Sequence, residues 1–190
     1  MTIERDAVWL TFWYTPWRNM DASWLAELTE HHDLIATSQC LDAMTPQGLR
    51  AKLALNSCYA PSPDNTLISW LQVDEHQRQR ACYLASEIAL RGSANERLSP
   101  SDTEWCRHIA KALRPNVWLP AEMMSNHQDT LGLWLLKQWV AEDIWLRLRL
   151  WFPYSQIGKL NQLADAKLPE LRIQPLWHSI LWRINSSPQA

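Results

Sequence analysis

The sequence predicts an all-α protein, or nearly so, and three observations carry that prediction. First, the stretch from Asp129 to Pro153, DTLGLWLLKQWVAEDIWLRLRLWFP, reads as one long helix. Set at about 100° per residue, its apolar side chains fall into three ridges, so most of its circumference asks for burial. Second, the chain holds only four glycines in 190 residues, where average usage of about 7% would give roughly 13. That disfavours hairpin-rich folds and glycine-rich phosphate loops. Third, the eleven prolines fall between apolar runs, where they punctuate helices. The expected architecture is a single globular domain over residues 1–190, with about six to eight helices packed around the long one. An aromatic N-terminal arm spans 1–20, and a loop at 60–64 is a candidate internal boundary.

The elements follow in order. VWLTFWYTPW, residues 8–17, is rich in aromatic and β-branched side chains and ends at a proline, which fits either an extended arm or a short helical piece. Asp21 starts a helix carrying Trp24, Leu25 and Leu28 on one face. Thr45-Pro46 is a helix start, with Thr as cap and Pro at the first helical position. Ala60-Pro-Ser-Pro-Asp64 is a loop, followed by Leu67, Ile68, Trp70 and Leu71. The next helix faces Cys82, Leu84, Ala85 and Ile88 inward, with Gly92 placed to cap its end. Ser99-Pro100 opens another, with Asp102 and Glu104 in its first turn and Pro115 as its stop. Pro120 to Asn126 adds one turn, and Asp129 is placed to cap the long helix that Pro153 ends. A helix at 155–166, a break at Pro169 and a last helix from Pro175, carrying Trp177, Ile180 and Ile184, complete the chain.

Composition bounds the function. With 47% hydrophobic residues the chain can build a core, and a net charge of −2 gives no general attraction to nucleic acid. Thirteen tryptophans are read mainly as core filler. The four cysteines form no C-x-x-C pair, and MTIERDAVWL lacks the basic start and apolar run of a signal peptide. The expectation is a cytoplasmic protein with reduced thiols. The stretch 131–151 has the length of a membrane span, but Lys137, Glu142, Asp143, Arg147 and Arg149 interrupt it and argue against insertion.

No catalytic group and no cofactor site emerges. His31, His32 and Cys40 lack zinc-ligand spacing. Cys106 and His108 diverge around a helix, and so do Glu142 and Asp143. Asp143 and Arg147 have the acid-first spacing of a helical ion pair. Arg147 and Arg149 are alternatively candidates to bind an acidic partner. The cluster Trp9, Phe12, Trp13, Tyr14 and Trp17 is either a strap packed on the domain or a partner-binding arm, since Trp and Arg are enriched at interface hot spots. The candidate partner-binding residues are therefore Trp13, Trp17, Arg147 and Arg149.

A family resemblance adds to this reading. The FWYTPW and SWL start, LGLWLLKQWVAEDIWLRLRLWFP from Leu131 to Pro153, and PEL…PLWHSILWR from Pro169 to Arg183 resemble the SctK family, which includes the YscK and PscK proteins. These are accessory subunits of the sorting platform of bacterial type III secretion systems. The direct likeness covers about a third of the chain and rests on packing patterns; Ser38 to Leu119 contributes no matching motif. The resemblance implies a non-enzymatic adaptor beneath the injectisome, at the cytoplasmic face of the inner membrane. It would link the cytoplasmic domain of the ring protein SctD to the pod protein SctQ, and through SctQ to the stator SctL and the ATPase SctN. The alternative is a type III secretion chaperone or regulator holding a client protein. Such chaperones are usually smaller and strongly acidic, whereas this chain is near neutral.

Overall fold

A computed structural model of the chain describes residues 2–29, 44–56, 58–91, 97–126 and 130–186. Among them the helices are α1 (Thr2–Tyr14), α2 (Ser23–Thr29), α3 (Pro46–Lys52), α4 (Asn65–Gln72), α5 (Glu75–Leu90), α6 (Pro100–Leu113), α7 (Ala121–Asn126), α8 (Leu131–Trp139), α9 (Glu142–Leu148), α10 (Tyr154–Leu160) and α11 (Glu170–Ser186). Three 3₁₀ turns, at Pro16–Asn19, Pro115–Val117 and Arg149–Trp151, complete the regular structure of the described residues, which include no strand. The protein is all-α. Contacts divide the chain into two compact units, Met1–Pro63 with Ala141–Leu163, and Asp64–Val140 with Ala164–Ala190. One division falls at Pro63–Asp64, inside the 60–64 loop read from the sequence.

The first unit is closed by aromatic side chains. The N-terminal stretch is a helix: α1 buries Trp9, Phe12 and Trp13, with spacings of three and four residues on one face. Indole N–H groups then tie chain segments that have no ladder of their own. Trp9 Nε1 donates to Pro61 O at 2.9 Å, Trp13 Nε1 to Cys58 O at 3.0 Å, and Trp24 Nε1 to Phe152 O at 2.9 Å. Each bond satisfies a carbonyl and fixes a ring, so here tryptophan holds loops as well as filling space.

The second unit packs α5 against α6, α8 and α11. α5 starts on a capping box in which Asp74 accepts from Gln77 N and Gln77 Oε1 accepts from Asp74 N. Its C-cap is Arg91, with φ 60°; the Gly92 read as the cap lies outside the described residues. Gly132 marks the crossing of α8 over α5, because a Cβ there would sit 2.0 Å from the Cys82 carbonyl oxygen and 2.8 Å from Ser86 Oγ. The backbones approach so closely that only hydrogen fits. The predicted starts at Thr45-Pro46 and Ser99-Pro100 are present, each capped by its hydroxyl, onto Gly48 N and Asp102 N.

Two expectations are corrected. The long helix from Asp129 to Pro153 is broken: α8 ends at Trp139, Val140 (φ −98°, ψ 155°) and Ala141 (φ −64°, ψ 153°) are extended, and α9 begins at Glu142. Asp129, read as its cap, lies outside the described residues. The break separates two helices that belong to different units. Each has its own complement to its dipole, Lys137 in the last turn of α8 and Glu142 with Asp143 in the first turn of α9. The last helix starts at Glu170, five residues before the predicted Pro175, which lies inside it. An interior proline costs about 3 kcal/mol. Against that, Ile173, Leu176, Trp177, Ile180, Leu181 and Ile184 form one continuous buried ridge. The carbonyl that Pro175 leaves without its usual donor belongs to Leu171, on the most exposed part of the helix, where water can reach it.

Candidate interaction surfaces

The four candidate residues all lie in the first unit, and most of their binding capacity is used internally. Arg147 is 3% exposed and Trp13 2%. The Arg147 guanidinium lies 3.8 Å from the centre of the Trp13 ring. It donates through Nε to Trp13 O at 3.0 Å, Nη1 to Asp143 O at 2.7 Å and Nη2 to Asn56 O at 2.9 Å. Three chain segments thus converge on one cation. Burial above all, partly offset by the nearby Cys58 and Asp143, holds Arg147 below the ordinary arginine value. The expected Asp143–Arg147 ion pair is replaced by this backbone bond, while the Asp143 carboxylate accepts from Asn56 Nδ2 at 2.6 Å. Arg149 donates to Leu53 O at 2.8 Å and lies 5.5 Å from the Trp24 ring. Burial lowers its pKa too. Trp13 and Arg147 are therefore corrected from partner contacts to packing residues, because neither presents a surface.

Trp17 keeps a partly exposed ring, and beside it Arg50 lies 5.9 Å from the centres of both Tyr14 and Trp17 while donating to Tyr14 O at 2.9 Å. Tyr14 is 37% exposed and Tyr59 94%. Aromatic rings around a positioned guanidinium suit a protein interface.

The second unit holds a charged cluster that sequence reasoning missed. Asp102, in the first turn of α6, is 3% exposed. It accepts from Arg80 Nε at 3.0 Å, Arg80 Nη2 at 2.9 Å and Arg183 Nε at 3.1 Å. Burial pushes the Asp102 carboxyl up, but the bonds and charges of Arg80 and Arg183 outweigh it, so the group is held below the ordinary carboxylate value. The three residues join α5, α6 and α11 on the wall of a cleft of about 1040 Å³. Their separations in sequence, 22 and 81 residues, give no local signal.

Nucleophilic and metal chemistry finds little here. Cys106 is fully buried, with its thiol pushed up to about 12 by burial and by the nearby Glu87 and Asp102 carboxylates. His108 is exposed and faces Glu104 at 3.6 Å. Among the described residues no three His, Cys, Asp or Glu side chains gather as metal ligands do, and no helix is long and apolar enough to cross a membrane. His31, His32 and Cys40 lie outside the described residues.

The fold and these sites define a helical protein whose buried charges serve packing and whose open apolar groups lie on its surface. No family model, no curated protein and no solved structure matches the chain.

Proposed function

We propose that this protein is a non-enzymatic adaptor of a bacterial type III secretion sorting platform. It would connect the cytoplasmic domain of the ring protein SctD to the pod protein SctQ, and through SctQ to SctL and SctN. Its place would be peripheral, at the cytoplasmic face of the inner membrane. The observation that carries the reading is the division into two compact helical units, each with its own exposed large apolar side chains. A connector needs two separate surfaces. Tyr14, Trp17 and Tyr59 supply one in the first unit, and Leu171 and Trp182 supply another in the second. The segments that resemble the SctK family, 131–153 and 169–183, contribute buried residues to both units.

Purified protein should bind the SctD cytoplasmic domain and SctQ separately, and all three should sediment as one complex in analytical ultracentrifugation. Absence of binding to either partner would overturn the adaptor reading. Trp17→Ala combined with Tyr59→Ala should weaken one partner and leave the other unchanged, with the helical circular dichroism retained.

A further inference from the structure

The guanidiniums of Arg80 and Arg183 are only partly used by the fold. Each turns its Nε–Nη2 edge inward, Arg80 to both Asp102 oxygens, and Arg183 to Asp102 and to Ser101 Oγ at 2.8 Å. Neither Nη1 has a partner among the described residues, and neither is buried. The two side chains keep 24% and 21% of their surface exposed, whereas Asp102 keeps 4%. Arg183 is further fixed by the Trp105 ring, whose centre lies 5.8 Å from its guanidinium. Two guanidiniums on one sealed carboxylate leave one positive charge in excess, held in place and open to solvent.

Both arginines line the cleft of about 1040 Å³ in the second unit, together with Arg97, which lies 5.2 Å from the centre of the Tyr83 ring. The Ser99 and Ser101 hydroxyls line it too. Their oxygens already accept, from Asp102 N and from Arg183 Nη2, so each has its proton left to donate outward. Asp74 and Glu75 also border the cleft, but at the start of α5, about 8 Å along the helix axis before Arg80. Asp74 is engaged there in the capping box. The arginine end is therefore basic in its own right. Among the described lining residues only Leu98 is wholly aliphatic, so the occupant is hydrophilic, and the volume is at the upper end of small-molecule sites.

We infer that this cleft binds the phosphoryl group of a small hydrophilic molecule, held by the outer edges of Arg80 and Arg183 and by the Ser99 and Ser101 hydroxyls. The donors come from α5, α6 and α11, and so from three sides. A phosphoryl group offers three terminal oxygens and up to two negative charges, which matches that arrangement. A carboxylate offers two oxygens in one plane and a single charge. Arginine suits the task because its fork makes paired, charge-assisted bonds to phosphate oxygens. The inference goes beyond the adaptor reading and does not depend on it.

Titration of the full chain with inorganic phosphate, glycerol 3-phosphate and glucose 6-phosphate, followed by backbone amide shifts in NMR, tests it. Saturable shifts are expected at Arg80, Ser101, Asp102 and Arg183, and none with glucose. Tighter binding of either ester than of phosphate would identify an ester as the occupant; equal binding would identify phosphate itself. Arg183→Gln removes one cation and should weaken binding about tenfold or more. Because Arg183 also holds Asp102, a second variant guards against a loss of fold. Ser101→Glu sets a carboxylate in the place of the phosphoryl group, at a helix start where an acidic residue is favourable. It should abolish binding while leaving the helical circular dichroism unchanged. Absence of saturable shifts with all three phosphates would overturn the proposal, as would wild-type affinity in Ser101→Glu. A tetraglutamate peptide that bound more tightly than any of the phosphates would also overturn it, since the cleft would then be a site for acidic protein segments.

Discussion

In the first unit Arg147 and Arg149 lie against indole rings and donate to backbone carbonyls, whereas in the second Arg80 and Arg183 converge on the carboxylate of Asp102. Both arrangements tie distant segments together with a guanidinium. They differ in what accepts the charge. A carbonyl cannot titrate, and the three that surround Arg147 come from α1, α9 and the loop before residue 57. Asp102 can titrate, and its depressed pKa makes the second cluster a source of stability that depends on pH. The comparison teaches that a buried arginine near the end of an apolar helix is not by itself a ligand site. Where the carbonyls of separate chain segments converge, a planar five-donor group closes them.

The largest effect that would break or sharpen this contrast comes from Asp102. Asp102→Ala leaves two part-buried guanidiniums unpaired and is expected to cost roughly 3–5 kcal/mol at pH 7, as when one partner of a buried pair is removed. Denaturant unfolding at pH 7 and again in acid would check it, and the difference between mutant and wild type should shrink in acid. Arg147→Met keeps much of the volume but leaves the carbonyls of Trp13, Asn56 and Asp143 without their donor. A loss of about 2–3 kcal/mol is expected, given roughly 1–3 for an unsatisfied buried group, and it should be the same at both pH values. Equal pH dependence for the two mutants would remove the distinction between the clusters. Gly132→Ala forces a methyl group toward the Cys82 carbonyl and should cost about 1–3 kcal/mol by overpacking. A thermal melt of this variant within about 0.5 kcal/mol of wild type would mean that α5 and α8 have room between them.

Much of this architecture was legible in the chain. The starts of α3 and α6 were written in Thr45-Pro46 and Ser99-Pro100, where a hydroxyl cap and a fixed φ act locally. The break at Val140–Ala141 was misread because apolar periodicity runs through it unchanged. The missed signal was charge: Lys137 followed by Glu142 and Asp143 is the end of one dipole and the start of another. Pro175 misled in the opposite sense, since a local breaker yielded to six buried neighbours on its helix. Of the candidate site, Trp17 remains at the surface. Trp13 and Arg147 were chosen for residue type, which is shared by interface hot spots and by core cation–aromatic pairs; only their neighbours distinguish the two. Trp182 lay in plain view, but its exposure depends on which side of α11 faces the core, and that is settled by packing rather than by the residue itself.

The most direct test of the contrast is hydrogen exchange followed by mass spectrometry, comparing neutral solution with acid below about pH 4. The sign follows from Asp102. Its folded pKa lies below the ordinary carboxylate value of about 3.9, so the stability it supplies is full above that value and is lost as pH falls through the folded pKa. Asp165, held low by its bond to Lys137, acts in the same direction in the same unit. With intrinsic exchange rates corrected for pH, α5, α6 and α11 should lose protection in acid before α1 and α9 do. Simultaneous loss in all five helices, or earlier loss in α1 and α9, would contradict the claim that the two units bury their arginines by different chemistry.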